Sequence, residues 1–253
     1  DKPVLLVTHS MRIPRDFIST TLRARGFSTV WVRPWLGQPL PDPDPDAYAG
    51  AVFYGGPQLL TEMDKDPYLY DELEWTKQFV DKGGRYLGLC LGGQILSKAY
   101  GGDVYKREDE IKEVGYYELR PTNAGVNSGY FCGQNFHVYH WHREGIELPD
   151  GVETLASCDY FPNQAFQISD KAFGTQFHPE ITDAMIRLWG EHAPADRDKE
   201  PNTQRRESHL GNYYRYQERV QEWAQDMLDK LGFIAPQQSS NRRIGCLPDS
   251  VRT

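Results

Sequence analysis

The sequence predicts an α/β fold: a mostly parallel sheet flanked by helices, with a partly antiparallel middle section and a C-terminal helical extension. Three observations carry this reading. Short apolar runs alternate with helix-like segments through residues 4–92, and a repeated β-α order closes into a parallel sheet with helices on both faces. Residues 104–177 are rich in Tyr, Phe, Val and Gly and are broken by turn signals, the pattern of strands and hairpins. Beyond residue 190 the chain turns polar and then shows one long amphipathic stripe, which marks a surface helix.

Taken in order, Val4-Leu5-Leu6-Val7 is an apolar run suited to a buried parallel strand. Residues 16–25 read as a helix stopped by Gly26. Residues 28–32 read as a second strand, followed by a Pro/Asp-rich loop over 39–46. Ala51-Val52-Phe53-Tyr54 is a third strand that ends at Gly55-Gly56-Pro57. Pro67 opens a helix with Leu69, Leu73, Thr76 and Val80 on one face, ended by Gly83-Gly84. Residues 85–89 form a fourth strand, and a helix begins near Gly92. Residues 191–209 hold Pro194, Pro201 and many charges, as in a surface excursion or a mobile loop. The helix after them aligns Tyr213, Tyr216, Val220, Trp223, Met227 and Leu231 in a core-facing stripe, with Gly232 as its C-terminal stop. This predicts an α/β domain over 1–190, a polar loop and helix over 191–235 packed on the same domain, and a flexible tail over 236–253.

Composition bounds the function classes. The 253 residues are 39% hydrophobic, 25% charged and 13% aromatic, as in a soluble globular protein. The net charge of -8 disfavours an extended nucleic-acid surface. No apolar run approaches the ~20 residues of a membrane span, and no signal-peptide pattern opens the sequence. The four cysteines, Cys90, Cys132, Cys158 and Cys246, are widely spaced without a CxxC. That argues against a disulfide scaffold and for the cytoplasm, with Cys132 and Cys158 as ordinary buried thiols.

The sharpest local signal is Gly88-Leu89-Cys90-Leu91-Gly92-Gly93-Gln94. An apolar strand runs into a cysteine with glycines two positions to either side. A nucleophile on a tight strand-to-helix turn needs such small neighbours. The following helix N-terminus favours a thiolate, and the Leu91 amide is placed for an oxyanion. A plain buried strand cysteine fits the same spacing. Gly174-Thr175-Gln176-Phe177-His178-Pro179-Glu180 supplies a partner. Residues two apart on an extended segment share a face, so Glu180 can reach the His178 ring and fix its tautomer. His178 could then activate Cys90. An isolated strand-end histidine beside a surface glutamate is the bland alternative.

Together these segments resemble the class I glutamine amidotransferases. Gly88, Cys90, Gly92 and Gln94 match the family's G-x-C-x-G-x-Q, His178-Pro179-Glu180 its H-P-E, and Gly55-Gly56-Pro57 its G-G-P loop. Residues 138–144 with Leu148-Pro149, and residues 161–166, are similar to the standalone GMP-synthase-like subgroup. Trp141 stands where that subgroup usually has serine, Glu144 where it has aspartate, and Gly93 where many members have histidine. The resemblance covers about residues 3 to 190. It implies a flavodoxin-like sheet and a Cys90-His178-Glu180 triad hydrolysing a γ-glutamyl amide, glutamine above all. It also implies an oxyanion hole from Gly55, Gly56 and Leu91, and a substrate-binding wall from Gln94, His140, Trp141 and His142.

No cofactor and no metal are implied. His137, His140 and His142 tempt a metal reading, but no matching Cys or Asp partner is evident in the sequence. No G-x-x-x-x-G-K-[ST] loop occurs, so ammonia-acceptor chemistry is expected on a separate synthetase chain. Nucleic-acid and membrane partners are not expected. A γ-glutamyl peptidase using the same triad, and a catalytically silent binding or regulatory protein, are the competing functions.

Overall fold

Val4–Val7 (β1) is apolar throughout and wholly buried, so it must lie inside a sheet covered on both faces. Its side chains alternate accordingly. Val4 and Leu6 join one core cluster, Leu5 and Val7 the other. The structure is a computed structural model that describes residues 2–11, 15–194 and 196–234. The tail expected over 236–253 falls outside the described residues.

Around β1 the first half forms α1 (Phe17–Ala24), β2 (Thr29–Val32), β3 (Gly50–Phe53), α2 (Tyr68–Asp81), β4 (Tyr86–Leu89) and α3 (Leu91–Ala99). β1 pairs in parallel with β2 and β3, and β3 with β4, as the expected mostly parallel sheet requires. α1 starts where it does because the Asp16 carboxylate accepts the Ser19 amide at 2.8 Å. α2 differs in its buried face. Trp75 and Phe79 are buried with Leu69, Thr76 and Val80, while Leu73 is only half-buried. The reason is aromatic: Trp75 packs on Phe53 and stacks on Phe79, which rotates the helix toward its larger side chains.

The middle forms β5 (Asp103–Lys106), β6 (Glu113–Pro121), α4 (Asn123–Asn127), β7 (Phe136–His142), β8 (Glu144–Glu147), β9 (Ala156–Ser157), β10 (Ala165–Ser169) and β11 (Ala172–Thr175). Most of its pairing is antiparallel. The exception is β11, which runs parallel to β4. One sheet therefore has the order β2-β1-β3-β4-β11-β10-β9-β6-β7, and β5 pairs with β8 apart from it. The short α4 is held by Thr122, whose hydroxyl accepts from the Gly125 amide at 3.0 Å.

The last elements are α5 (Asp183–His192) and α6 (Arg206–Lys230), with a short 3-10 turn at Arg197–Lys199 between them. α5 has no counterpart in the sequence reading, although Met185 and Ile186 are buried and Trp189 packs beside them. α6 presents the predicted stripe, with Tyr213, Val220, Trp223 and Met227 buried. It packs on β6, β7, α5 and α1, and Trp223 lies among Phe131, Phe136, Phe173 and Phe177. Gly232, at φ 87°, ends it in the left-handed region. The polar segment before α6 is seated on the sheet rather than clear of it. Thr203 bridges Val114, and the Gln204 side chain bonds both the amide and the carbonyl of Tyr116. Cys132 corrects another expectation, being half-buried and disulfide-bonded rather than a buried thiol. Cys158 is free and buried as expected.

Candidate active site

β4 delivers Cys90 and α3 begins immediately after it. Cys90 has φ 52° and ψ −106°, a strained conformation for a residue with a Cβ. The flanking glycines are needed for closeness. A Cβ on Gly88 would lie 2.3 Å from the Gly92 carbonyl oxygen, and one on Gly92 would lie 2.0 Å from that of Phe53. Gly93, where a histidine is usual in the resembling family, presses on the Thr175 carbonyl in the same way.

β11 delivers the second group. His178 and Glu180 lie on a turn past its end rather than on an extended strand, yet the expected contact forms. His178 Nδ1 bonds Glu180 Oε1 at 2.7 Å, with both side chains buried. His178 Nε2 is buried without a hydrogen-bond partner among the described residues. Cys90 and His178 meet over Gly55: a Cβ there would be 2.8 Å from His178 Cε1 and 3.3 Å from Cys90 Cβ. Burial alone would lower the His178 pKa, but the Glu180 carboxylate and the Cys90 sulfur outweigh it and hold the imidazole up at about 10. A positively charged imidazole facing a cysteine is the arrangement that activates a thiol.

Two cavities flank Cys90. One, of about 230 Å³, is bordered by Gly55, His178, Glu180, Trp189 and His192. The other, of about 210 Å³, is bordered by Leu91, Gln94, His142, Arg143 and Arg197. Gly56, Trp141 and Pro194 border both. Trp141 is thus a bulky wall over the nucleophile, at the position where the related subgroup usually has serine. Glu144, in place of aspartate, accepts from the Leu60 and Thr61 amides at 2.9 and 3.3 Å.

Gln94 is buried and committed to protein groups. Its Nε2 donates to the Gln176 side-chain oxygen at 3.2 Å and the Glu144 carbonyl at 3.3 Å. Gln176, which sequence reasoning missed, donates in turn to Cys90 Sγ at 3.6 Å. Its signal was its place two residues before His178. His140 borders neither cavity. It lies on the inner face of β7, with Nδ1 3.1 Å from His142 Nε2 and Nε2 3.7 Å from Cys158 Sγ.

That inner face corrects one inference. The partners that the sequence did not show for His140 and His142 do arrive, from β6 and from the loop after β9. Ligand-type atoms of Glu113, His140 and Cys158 lie within 4.8 Å of one another. They are engaged among themselves and with neighbours: His142 Nε2 bonds Glu113 at 2.9 Å, Gln164 donates to Glu113 at 3.1 Å, and the Cys158 thiol donates to the Glu118 carbonyl. Burial pushes the Cys158 thiol well up and, with His142 and His178 nearby, holds His140 well down, so both are neutral.

A second missed pair supports the Gly55-Gly56 turn. His9 Nδ1 donates to the Tyr54 carbonyl at 2.9 Å, and its Nε2 meets the fully buried Glu72 carboxylate at 2.7 Å. Gly56 has no room for a Cβ, which would lie 2.4 Å from that of His9.

Comparison with known proteins bears on the family and the fold. The family described as Glutamine amidotransferase class-I matches residues 18–185. The glutamine amidotransferase-like protein YfeJ of Salmonella typhimurium is 32% identical over 163 residues, 62% of this chain and 67% of that protein. The glutamine-hydrolyzing GMP synthase subunit of Methanococcus vannielii is 34% identical over 98 residues, 38% of this chain and 50% of that one. The glutamine-hydrolyzing GMP synthase of Listeria innocua matches at 30% over 52% of this chain, and only 24% of its own length is covered. Among solved structures, a glutamine amidotransferase from Methylobacillus flagellatus superposes with a TM-score of 0.83 at 21% identity, over 96% of this chain and 99% of that one. One from Thermotoga maritima superposes with a TM-score of 0.80 at 23% identity, over 91% and 97%. At those identities the likeness is one of fold.

Proposed function

The chain belongs to the class I glutamine amidotransferase family, and we propose on that basis that it hydrolyses a γ-glutamyl amide through a Cys90 thioester. The observation that carries the proposal is the meeting over Gly55 of the strained Cys90 with a His178 ring held by Glu180. Cys90 sulfur attacks the γ-carbonyl carbon, and His178 gives its proton to the departing nitrogen. Water, deprotonated by His178, then cleaves the thioester to the free γ-carboxylate. The oxyanion of each tetrahedral intermediate would be held at the Leu91 amide and the Gly55-Gly56 turn. Glutamine is the substrate that the family supports best. The released ammonia would pass to a separate synthetase, as the name of the matched Methanococcus protein suggests. Cytoplasmic placement belongs to the same proposal; among the described residues no helix is long and apolar enough to cross a membrane.

One observation favours a second substrate. The cavity beside His178, about 230 Å³ and walled by Trp189 and His192, offers more room than ammonia needs, so γ-glutamyl peptides or conjugates are the alternative. A panel of glutamine, γ-glutamyl dipeptides and glutathione conjugates, with ammonia and glutamate both measured, separates the two. Wild type should release glutamate from at least one class, and Cys90→Ser should release none. Silence on every substrate, with Cys90 inert to an affinity label, would leave the regulatory reading.

A further inference from the structure

Arg197 lies outside every motif that the family resemblance uses. It sits on the 3-10 turn between α5 and α6 and borders the same cavity as Cys90, Leu91 and Gln94. It is only 3% exposed. Its Nη2 donates to Asp198 at 2.9 Å, and its guanidinium lies 4.6 Å from the Trp141 ring centre. Nε and Nη1 are buried with no hydrogen-bond partner among the described residues. A guanidinium cannot shed its charge. Buried donors left unpaired on it cost free energy unless an acceptor arrives.

The surroundings lean the same way. Of the acidic groups on this cavity, Glu144 is tied to the Leu60 and Thr61 amides and Glu200 to Lys112. Lys112 is thereby spent on Glu200 and one Arg197 nitrogen on Asp198, while Arg197 Nε and Nη1 have no partner among the described residues. We propose that Arg197, backed by Trp141, receives a carboxylate of the substrate. This deepens the amide-hydrolase reading and rests on it. The leaving nitrogen must face His178, on the other cavity, so the acyl portion occupies the cavity of Arg197. The carboxylate is then the α-carboxylate of the γ-glutamyl unit. A carboxylate on the leaving group offers the same chemistry from a second source.

The test compares KM and kcat of wild type, Arg197→Ala, Arg197→Lys and Arg143→Ala on four amides. These are L-glutamine, γ-glutamylethylamide, γ-glutamylglycine and 4-aminobutanamide, which is glutamine without its α-carboxylate. For Arg197→Ala, KM should rise about ten- to a hundredfold on the first three, the loss expected for one charge-assisted hydrogen bond. Its kcat and its KM for 4-aminobutanamide should hold, and lysine should restore part of the loss. A rise confined to γ-glutamylglycine supports the subsite with the carboxylate on the leaving group. Equal change on all four amides marks a purely structural arginine and overturns the proposal, as does no change, or a KM rise in Arg143→Ala alone. If wild type cleaves none of the four, the hydrolase reading fails separately. L-glutamate should still shield Cys90 of wild type from iodoacetamide, and shield it less in Arg197→Lys. Absence of shielding in wild type, or equal shielding in the two, overturns the subsite.

Discussion

His178 carries two opposed pressures, and their balance is testable. Burial disfavours the imidazolium, while Glu180 at 2.7 Å and the Cys90 sulfur favour it and prevail. The folded pKa of about 10 lies above the unfolded value of about 6.5. The stabilisation from this charge is therefore complete below about pH 6.5 and is lost as pH climbs through about 10. Glu180→Gln should be less stable than wild type in denaturant at pH 6–7, and the gap should narrow toward pH 10. A gap that widens with pH would reverse the assignment. The same variant should lower kcat, and His178→Ala should lower it further, by roughly 10²–10⁴-fold in all, the usual worth of a positioned acid–base group. Cys90 and the His178–Glu180 pair stood out because each lies in a short motif, though spacing alone left a plain buried cysteine and an isolated histidine open. Gln176 and the His9–Glu72 pair were not, since their meaning comes from contacts made only in the fold.

At the scale of elements, the segment between α5 and α6 shows how hydropathy can mislead. Residues 191–209 read as an excursion because they are polar. Their polar groups are spent on the sheet instead: Gln204 fills the space left by Gly115, at φ 125°, and bonds both backbone groups of the buried Tyr116. Gln204→Ala leaves that amide and carbonyl unpaired and should cost about 1–3 kcal/mol in chemical denaturation. Because the same segment carries Pro194, Arg197 and Glu200 to the Cys90 cavity, the variant should also raise KM for the γ-glutamyl substrate. An unchanged midpoint and KM would return the segment to the role of a passive loop. Side-chain-to-backbone bonds of this kind leave no periodicity, which is why they escaped the sequence.

Across the whole molecule, the site's parts follow the carboxyl ends of adjacent parallel strands: His9 after β1, Gly55 after β3, Cys90 after β4 and His178 after β11. Open α/β sheets place their sites at that edge. The parallel pairing of the first half was legible from its alternating runs. The return of β11 beside β4, which brings His178 to Cys90, was not, because no local pattern encodes a long-range parallel pairing. The family match ends at residue 185, yet the fold does not. Val220, Trp223, Met227, Leu228, Leu231 and Phe233 are at most 3% exposed and share one core cluster with Val4, Leu6, Val52 and Leu87. Each such side chain is worth about 1.5–3 kcal/mol on burial, so together they match the roughly 5–15 kcal/mol of a whole domain's stability. Phe177, next to His178, leans on Trp223 with ring centres 5.3 Å apart, so the loss would reach the site. A chain cut after residue 190 should therefore lose cooperative unfolding, bind a hydrophobic dye and show no selective labelling of Cys90. Cooperative melting of the shorter chain, with Cys90 still selectively labelled, would make the match region an autonomous domain and α6 an accessory to it.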